Sequence, residues 1–153
     1  EICSNIKYQY KIGHLVDGFC RYHEKRQNKK LYTLIPDGFI TDKNLILDTK
    51  YKDIEDEDNA VSQSDLYQMF AYSVKQLNMN SNGNIPKVIL IFPKVSRDVR
   101  ITYFSDLDFL GKFSIAFNIS TVDISKNFWD KSKRFIYKNE LKDELKKIIE
   151  TAN

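Results

Sequence analysis

The residues best suited to chemistry are two carboxylates and a lysine, in the pattern Pro36-Asp37 followed by Asp48-Thr49-Lys50. The stretch Leu45 to Lys52 begins as a hydrophobic strand and ends in alternating acid and base. Side chains two apart in a strand point the same way, so Asp48 and Lys50 share a face, with Leu45, Leu47 and Thr49 on the other. Asp37 lies in the preceding strand segment, Ile35 to Ile40. Carboxylates on adjacent strands can face each other across about 5 Å. Two like charges that close are costly unless a cation joins them. Hard oxygen ligands suit Mg²⁺, with Mn²⁺ as a substitute, and the carbonyl of Thr49 is a further candidate ligand. Such a metal acidifies a water and polarises a phosphate. Lys50 is placed to orient or deprotonate that water, or to neutralise charge in the transition state. Each acid also has a plainer reading. Asp37 lies between Pro and Gly, a turn composition, and Asp48 could pair with Lys50 or Lys52 on a salt-bridged sheet face.

The elements around these residues follow from periodicity. Residues 5 to 12 suit strand or extended chain. From His14 to Lys25, apolar residues at Leu15, Val16, Phe19, Cys20 and Tyr22 predict a helix, against the cost of Gly18. Gln27 to Lys30 reads as a polar turn. Short strands follow at Leu31 to Leu34 and Gly38 to Ile40, a turn at Thr41 to Asn44, then the strand from Leu45 to Lys52. The acidic run from Asp53 to Asn59 reads as a loop, and it lacks the ligand alternation, central Gly and terminal Glu of a calcium-binding EF-hand. A helix starts at Ser64 or Asp65, with Leu66, Met69, Phe70, Val74 and Leu77 as its buried stripe. With Asp65 as N-cap, Gln68 completes a capping box. Residues 78 to 84 break this helix. Lys87 to Phe92 has no polar alternation and reads as a central strand covered on both faces. A short strand at Ile101 to Phe104, a turn or short helix at Leu107 to Leu110 and a strand at Lys112 to Val122 precede a last helix capped by Asn139. The order predicts an α/β or α+β domain with a mixed central sheet flanked by helices. The helical crossover at 65–79 predicts a parallel pair between strands 45–50 and 87–92.

Composition bounds the rest. The chain has 153 residues, 42% of them hydrophobic, with ten Phe and nine Tyr, enough for one domain with a real core. The formal charge of +3 is weak evidence for a polyanionic partner, and lysine clusters at 25–30, 131–134 and near Lys146 read as solvated surface unless they form a stripe. Cys3 and Cys20 make neither a disulfide framework nor a zinc site, and no apolar run is long enough to span a bilayer. A cytoplasmic location is expected. The chain begins at Glu1 within an ordinary-looking segment, and residues 1–153 are expected to be a single domain cut from a longer protein.

The spacing Pro36-Asp37…Asp48-Thr49-Lys50 resembles the PD-(D/E)xK nuclease signature. Ile46 to Lys52, followed by Ser64-Asp-Leu-Tyr-Gln-Met-Phe-Ala-Tyr72, is similar to the C-terminal nuclease domain of the McrC family, the cleavage subunits of modified-cytosine-dependent McrBC restriction systems. The similarity is strongest over residues 31 to 75. It implies a restriction-endonuclease-like core and Mg²⁺-dependent hydrolysis of double-stranded DNA in host antiviral defence. It also implies a McrB-like, GTP-dependent AAA+ partner subunit that chooses the target. Residue by residue, Asp37 and Asp48 match the metal ligands and Lys50 the catalytic lysine. Gln68 and Tyr72 match a glutamine and tyrosine on the following helix, and Lys52 a possible phosphate contact. The fold usually adds an acid from its first helix, for which Glu24 is favoured over Asp17 and Glu1. His14 and His23 are assigned no role. The alternatives are a catalytically inactive nuclease-like module that binds DNA or a partner, and a plain structural domain.

Overall fold

The computed structural model describes residues 5–22, 25–52, 54, 61–79, 84–95, 98–107, 113–126 and 129–152. Its centre is a six-stranded mixed sheet in the order β1-β4-β5-β6-β8-β7. The strands are β1 (Ile6–Tyr8), β4 (Gly38–Ile40), β5 (Leu45–Thr49), β6 (Lys87–Pro93), β7 (Arg100–Leu107) and β8 (Phe113–Val122). β5, β6 and β8 run parallel, while β1, β4 and β7 pair antiparallel to their neighbours. The β5–β6 parallel pair and the central position of β6 agree with the sequence expectation.

Two helices cover the two faces. Helix α1 (Gln63–Met79) lies on the face that carries Ile46, Val88, Leu90 and Phe92, with Met69 and Tyr72 packed among them. Helix α2 (Arg134–Thr151) lies on the opposite face, where Ile148 and Ile149 pack with Ile40, Leu45 and Ile89. The two clusters divide β5 and β6 by parity, as the two-residue period of a strand requires. Asp48 therefore falls on the α1 face, in register beside Leu90.

Three expectations are corrected. Residues 14–25 are not a helix. β2 (Gly13–Tyr22) and β3 (Lys25–Leu34) form an antiparallel two-stranded sheet, and the segment Gln27 to Lys30 is strand rather than turn. Apolar residues at both parities fit two-sided strand as well as helix, and Gly18 tips the balance against helix. The last helix begins at Arg134, not at Asn139, and its N-cap, Lys133, makes no side-chain cap. The inward stripe of α1 is also rotated from the predicted one. Asp65, Met69, Tyr72, Ser73 and Gln76 are buried, with Leu66, Phe70 and Val74 on the flank. The strands at 101–104 and 112–122 are present as β7, which is longer, and β8. Most of the acidic run 53–59 and residues 108–110 lie outside the described residues.

Candidate active site

β4 and β5 pair with Gly38 opposite Leu47. Continuing that register by one step brings Asp37 opposite Asp48, at the carboxyl end of β5. In open α/β sheets this is where ligands bind, because the strands there give way to loops that can shape a crevice.

Asp37 is held by the backbone it faces. Its Oδ2 accepts hydrogen bonds from the amide of Thr49 at 2.8 Å and from the Thr49 hydroxyl at 2.5 Å, and its Oδ1 accepts one from Gln9 Nε2 at 3.2 Å. Burial raises its pKa, but the Thr49 and Gln9 hydrogen bonds and the charge of Lys50 outweigh that, so the carboxyl titrates below its ordinary value. Asp48 behaves oppositely. It is only 4% exposed, and burial holds its carboxyl above the ordinary value. The Lys50 ammonium opposes that shift and the charge of Asp37 adds to it. Lys50 Nζ lies 2.5 Å from Asp48 Oδ2. Beyond that ion pair, Oδ2 is buried with no further hydrogen-bond partner.

Helix α1 supplies the other wall. Lys50 Nζ donates to Gln68 Oε1 at 2.7 Å, Gln68 Nε2 donates to Tyr72 Oη at 2.8 Å, and Tyr72 Oη donates to the carbonyl of Ile35 at 3.1 Å. This chain fixes the amide's orientation. A carbonyl can only accept, so the Tyr72 proton goes to Ile35 and its oxygen must accept from Gln68. The Gln68 carbonyl is thereby aimed at Lys50. Burial, followed by the charge of Asp48, raises the Tyr72 pKa and keeps that proton in place. Tyr72→Phe removes the acceptor that sets the amide. It is expected to cost about 1 kcal/mol of stability, which thermal melts of the two proteins check.

The structure thus brings together Asp37, Asp48, Lys50, Gln68 and Tyr72. Gln68 does not serve a capping box. Ser62 precedes α1 and caps it instead, its Oγ accepting from the amide of Asp65 at 3.3 Å. Asp65 and Ser62 are site residues the sequence reading missed. Asp65 lies 3.8 Å from Lys50 Nζ, pairs with Lys52, and accepts from Ser62 Oγ at 2.7 Å. Lys52, expected to contact phosphate, is thus engaged by Asp65 and by Ser62 Oγ at 3.0 Å. The signal for Asp65 was its spacing from Gln68 and Tyr72, three and seven residues on, which places all three on one helical face. Glu24 and Glu1 lie outside the described residues, as does His23. Asp17 lies in β2, opposite Lys30.

Burial raises the Asp65 pKa, but hydrogen bonds from Lys52 and Ser62 and the charges of Lys52 and Lys50 outweigh it, leaving the carboxyl below 3.8. The folded state therefore binds this proton more weakly than the unfolded chain. Its stabilisation is complete above 3.8 and is lost as pH falls through the lowered folded value. Asp65→Asn is expected to weaken the protein at pH 7 by up to about 1 kcal/mol, the Lys52 partner being partly exposed. It should also flatten the acid limb, as urea unfolding from neutral pH to pH 3 would show.

Among the described residues, no group of three or more His, Cys, Asp or Glu side chains is arranged to hold a metal ion. Mg²⁺ does not need one, since it is commonly held by one or two carboxylates and keeps several waters. The buried Asp48 carboxylate, whose Oδ2 has the Lys50 ammonium as its ion-pair partner, and the neighbouring charge of Asp37 suit such an ion.

Comparison with known proteins gives one family. The model of the McrBC 5-methylcytosine restriction system component matches residues 7–93. No curated protein matches the chain. A solved structure described as a refined half-complex from a tetradecameric assembly of Thermococcus gammatolerans McrB AAA+ hexamers with bound McrC is similar at 15% identity and a TM-score of 0.38. The similarity covers 60% of this chain and 20% of that chain. No helix among the described residues is long and apolar enough to cross a membrane.

Proposed function

The chain belongs to the family of McrBC 5-methylcytosine restriction system components, and from that membership and the geometry at the end of β5 we propose that it is a McrC-like, metal-dependent DNA endonuclease. The observation that carries the reading is the buried Asp48–Lys50 pair, with Asp37 opposite and Gln68 behind it. A structural ion pair would have no need of a second carboxylate beside it, because like charges there weaken the fold. We assign the domain to the PD-(D/E)xK superfamily with a restriction-endonuclease-like core on the same residues.

In this reading Asp37 and Asp48 hold Mg²⁺ or Mn²⁺, with the Thr49 carbonyl as a further ligand. When bound, the ion acidifies water and offsets charge on a phosphodiester. The chain's own residues do the rest. Thr49 fixes Asp37 through its amide and hydroxyl. Gln68, oriented by Tyr72, holds the Lys50 ammonium where negative charge develops on the phosphate. Water attacks phosphorus and gives up a proton to solvent, the bond to the leaving oxygen breaks, that oxygen takes a proton from solvent, and no covalent enzyme intermediate forms. Lys50 steadies the attacking water or the phosphate oxygens. Lys52, held by Asp65, contributes positive potential at the rim. The partner is a McrB-like, GTP-driven AAA+ subunit that selects modified double-stranded DNA, and the complex acts in the cytoplasm as host defence.

The test is plasmid cleavage by the protein with its McrB-like partner and GTP, in Mg²⁺ and in EDTA. Linear product in Mg²⁺ alone supports the reading. Binding of DNA without cleavage under any divalent ion would favour an inactive DNA-binding module.

A further inference from the structure

The segment joining β8 to α2 carries positive charge where the helix it feeds disfavours it. Lys131 and Lys133 precede α2 and Arg134 opens it, yet the first turn contains no acidic residue. A helix amino terminus is itself positive, so cations there work against folding unless an anion joins them. The nearby acid, Asp130, is engaged by backbone amides and a hydroxyl and not by their ammonium groups. Its Oδ1 accepts from the amide of Ser132 at 2.9 Å and from the Ser132 hydroxyl at 2.6 Å. Lys131, Lys133 and Lys138 are exposed, and no carboxylate among the described residues forms an ion pair with them. Two large aromatic side chains are interleaved with these cations: Trp129 is 85% and Phe135 76% exposed.

The position of this segment gives the charge a use. β8 ends at Val122, level with Pro93 of β6, so the chain leaves the sheet at the same end as Asp48 and Lys50. α2 then runs back along the sheet, because Ile148 and Ile149 near its far end meet Leu45 at the start of β5. A single cavity of about 350 Å³ is walled by Thr49, Lys50 and Tyr51 on one side and by Ile124, Leu141 and Leu145 on the other. The basic, aromatic segment leads into the part of α2 that walls this cavity, at the end of the sheet that holds the candidate active site.

We propose that Trp129, Lys131, Lys133, Phe135 and Lys138 form a contact for the backbone of the DNA duplex next to the bond to be cut. The lysines neutralise phosphates, and the rings pack against deoxyribose. Charge complementarity selects this occupant: three exposed lysines with no carboxylate ion pair among the described residues, at the end of the sheet that holds a phosphodiester-cleaving site, suit a polyanion. The proposal rests on the nuclease reading of that site.

Trp129 is the single tryptophan of the chain, so its emission reports directly on the contact. The protein is titrated in EDTA with a short labelled duplex, following both label anisotropy and tryptophan emission over a range of salt. The duplex is expected to quench Trp129. The double variant Lys131→Ala/Lys133→Ala should bind about tenfold more weakly, with a log K against log salt slope shallower by about two. Its melting temperature should be no lower, since both side chains are exposed and stand at the positive end of α2. Unchanged affinity and slope in the double variant would overturn the proposal. Equal quenching by polyglutamate would also overturn it, assigning the surface to an acidic protein. If Asp48→Asn abolishes cleavage while the lysine variant binds normally, only the contact fails. If binding depends on the lysines but wild type never cleaves, only the nuclease reading fails.

Discussion

Asp48→Asn is expected to reduce DNA cleavage by about a thousandfold or more while leaving the protein folded. The substitution keeps the shape of the side chain but removes the buried charge that holds the metal and pairs with Lys50. Loss of a metal's several kcal/mol of transition-state stabilisation corresponds to a rate loss of that size. The effect should fall on turnover rather than on DNA affinity, since a buried carboxylate contributes nothing attractive to a polyanion. Single-turnover cleavage beside equilibrium DNA binding separates the two. Stability should change little, because the variant removes the desolvation that raises the Asp48 pKa as well as the partner of Lys50.

Lys50→Met is expected to be the more damaging change to the fold. It leaves a carboxylate buried without its counter-charge, a defect that costs about 3–5 kcal/mol in proteins. The sign of the pH response follows. In the native protein the Asp48 pKa is raised by burial even with Lys50 present. Without Lys50 the folded value rises further, so the folded state binds the proton more tightly than the unfolded chain. Stability of the variant should therefore increase as pH is lowered from 8 toward 5 and fall as pH rises. Adding Asp48→Asn to Lys50→Met should restore most of the loss at neutral pH. Urea unfolding in EDTA at several pH values checks all three points. A Lys50→Met protein as stable as wild type at pH 8 would mean that the pair is not coupled as the structure shows.

Much of the site was legible because it is local. The two-residue period of β5 put Asp48 and Lys50 on one face, and the crossover through α1 required β5 and β6 to be parallel. Gln68 and Tyr72 were readable as one helical face. What stayed hidden depends on long-range pairing. The β2–β3 ladder joins residues as far apart as Gly13 and Leu34, and Leu15, Val16, Phe19 and Cys20 satisfy a helical period equally well. The inward turn of Asp65 was hidden for a related reason. An acid near a helix start looks like a cap, and only the arrival of Lys52 from the chain just after β5 makes it an ion-pair partner. The predicted stripe through Leu66 and Leu77 was apolar, whereas the face that meets the sheet carries Asp65, Ser73 and Gln76. Polar residues turned inward mark a helix packed against a site as well as a core. The start of α2 was missed because it lacks a side-chain cap and carries cations in place of acids.

The central claim is that Asp37 and Asp48 form a divalent-metal centre beside Lys50. It is tested most directly by titrating the protein with Mn²⁺ in calorimetry, beside Asp37→Asn and Asp48→Asn proteins shown to be folded. The account predicts a site in the wild-type protein whose affinity falls at least tenfold in each variant. Equal Mn²⁺ affinity in all three proteins, or no binding by the wild type at millimolar Mn²⁺, would contradict it.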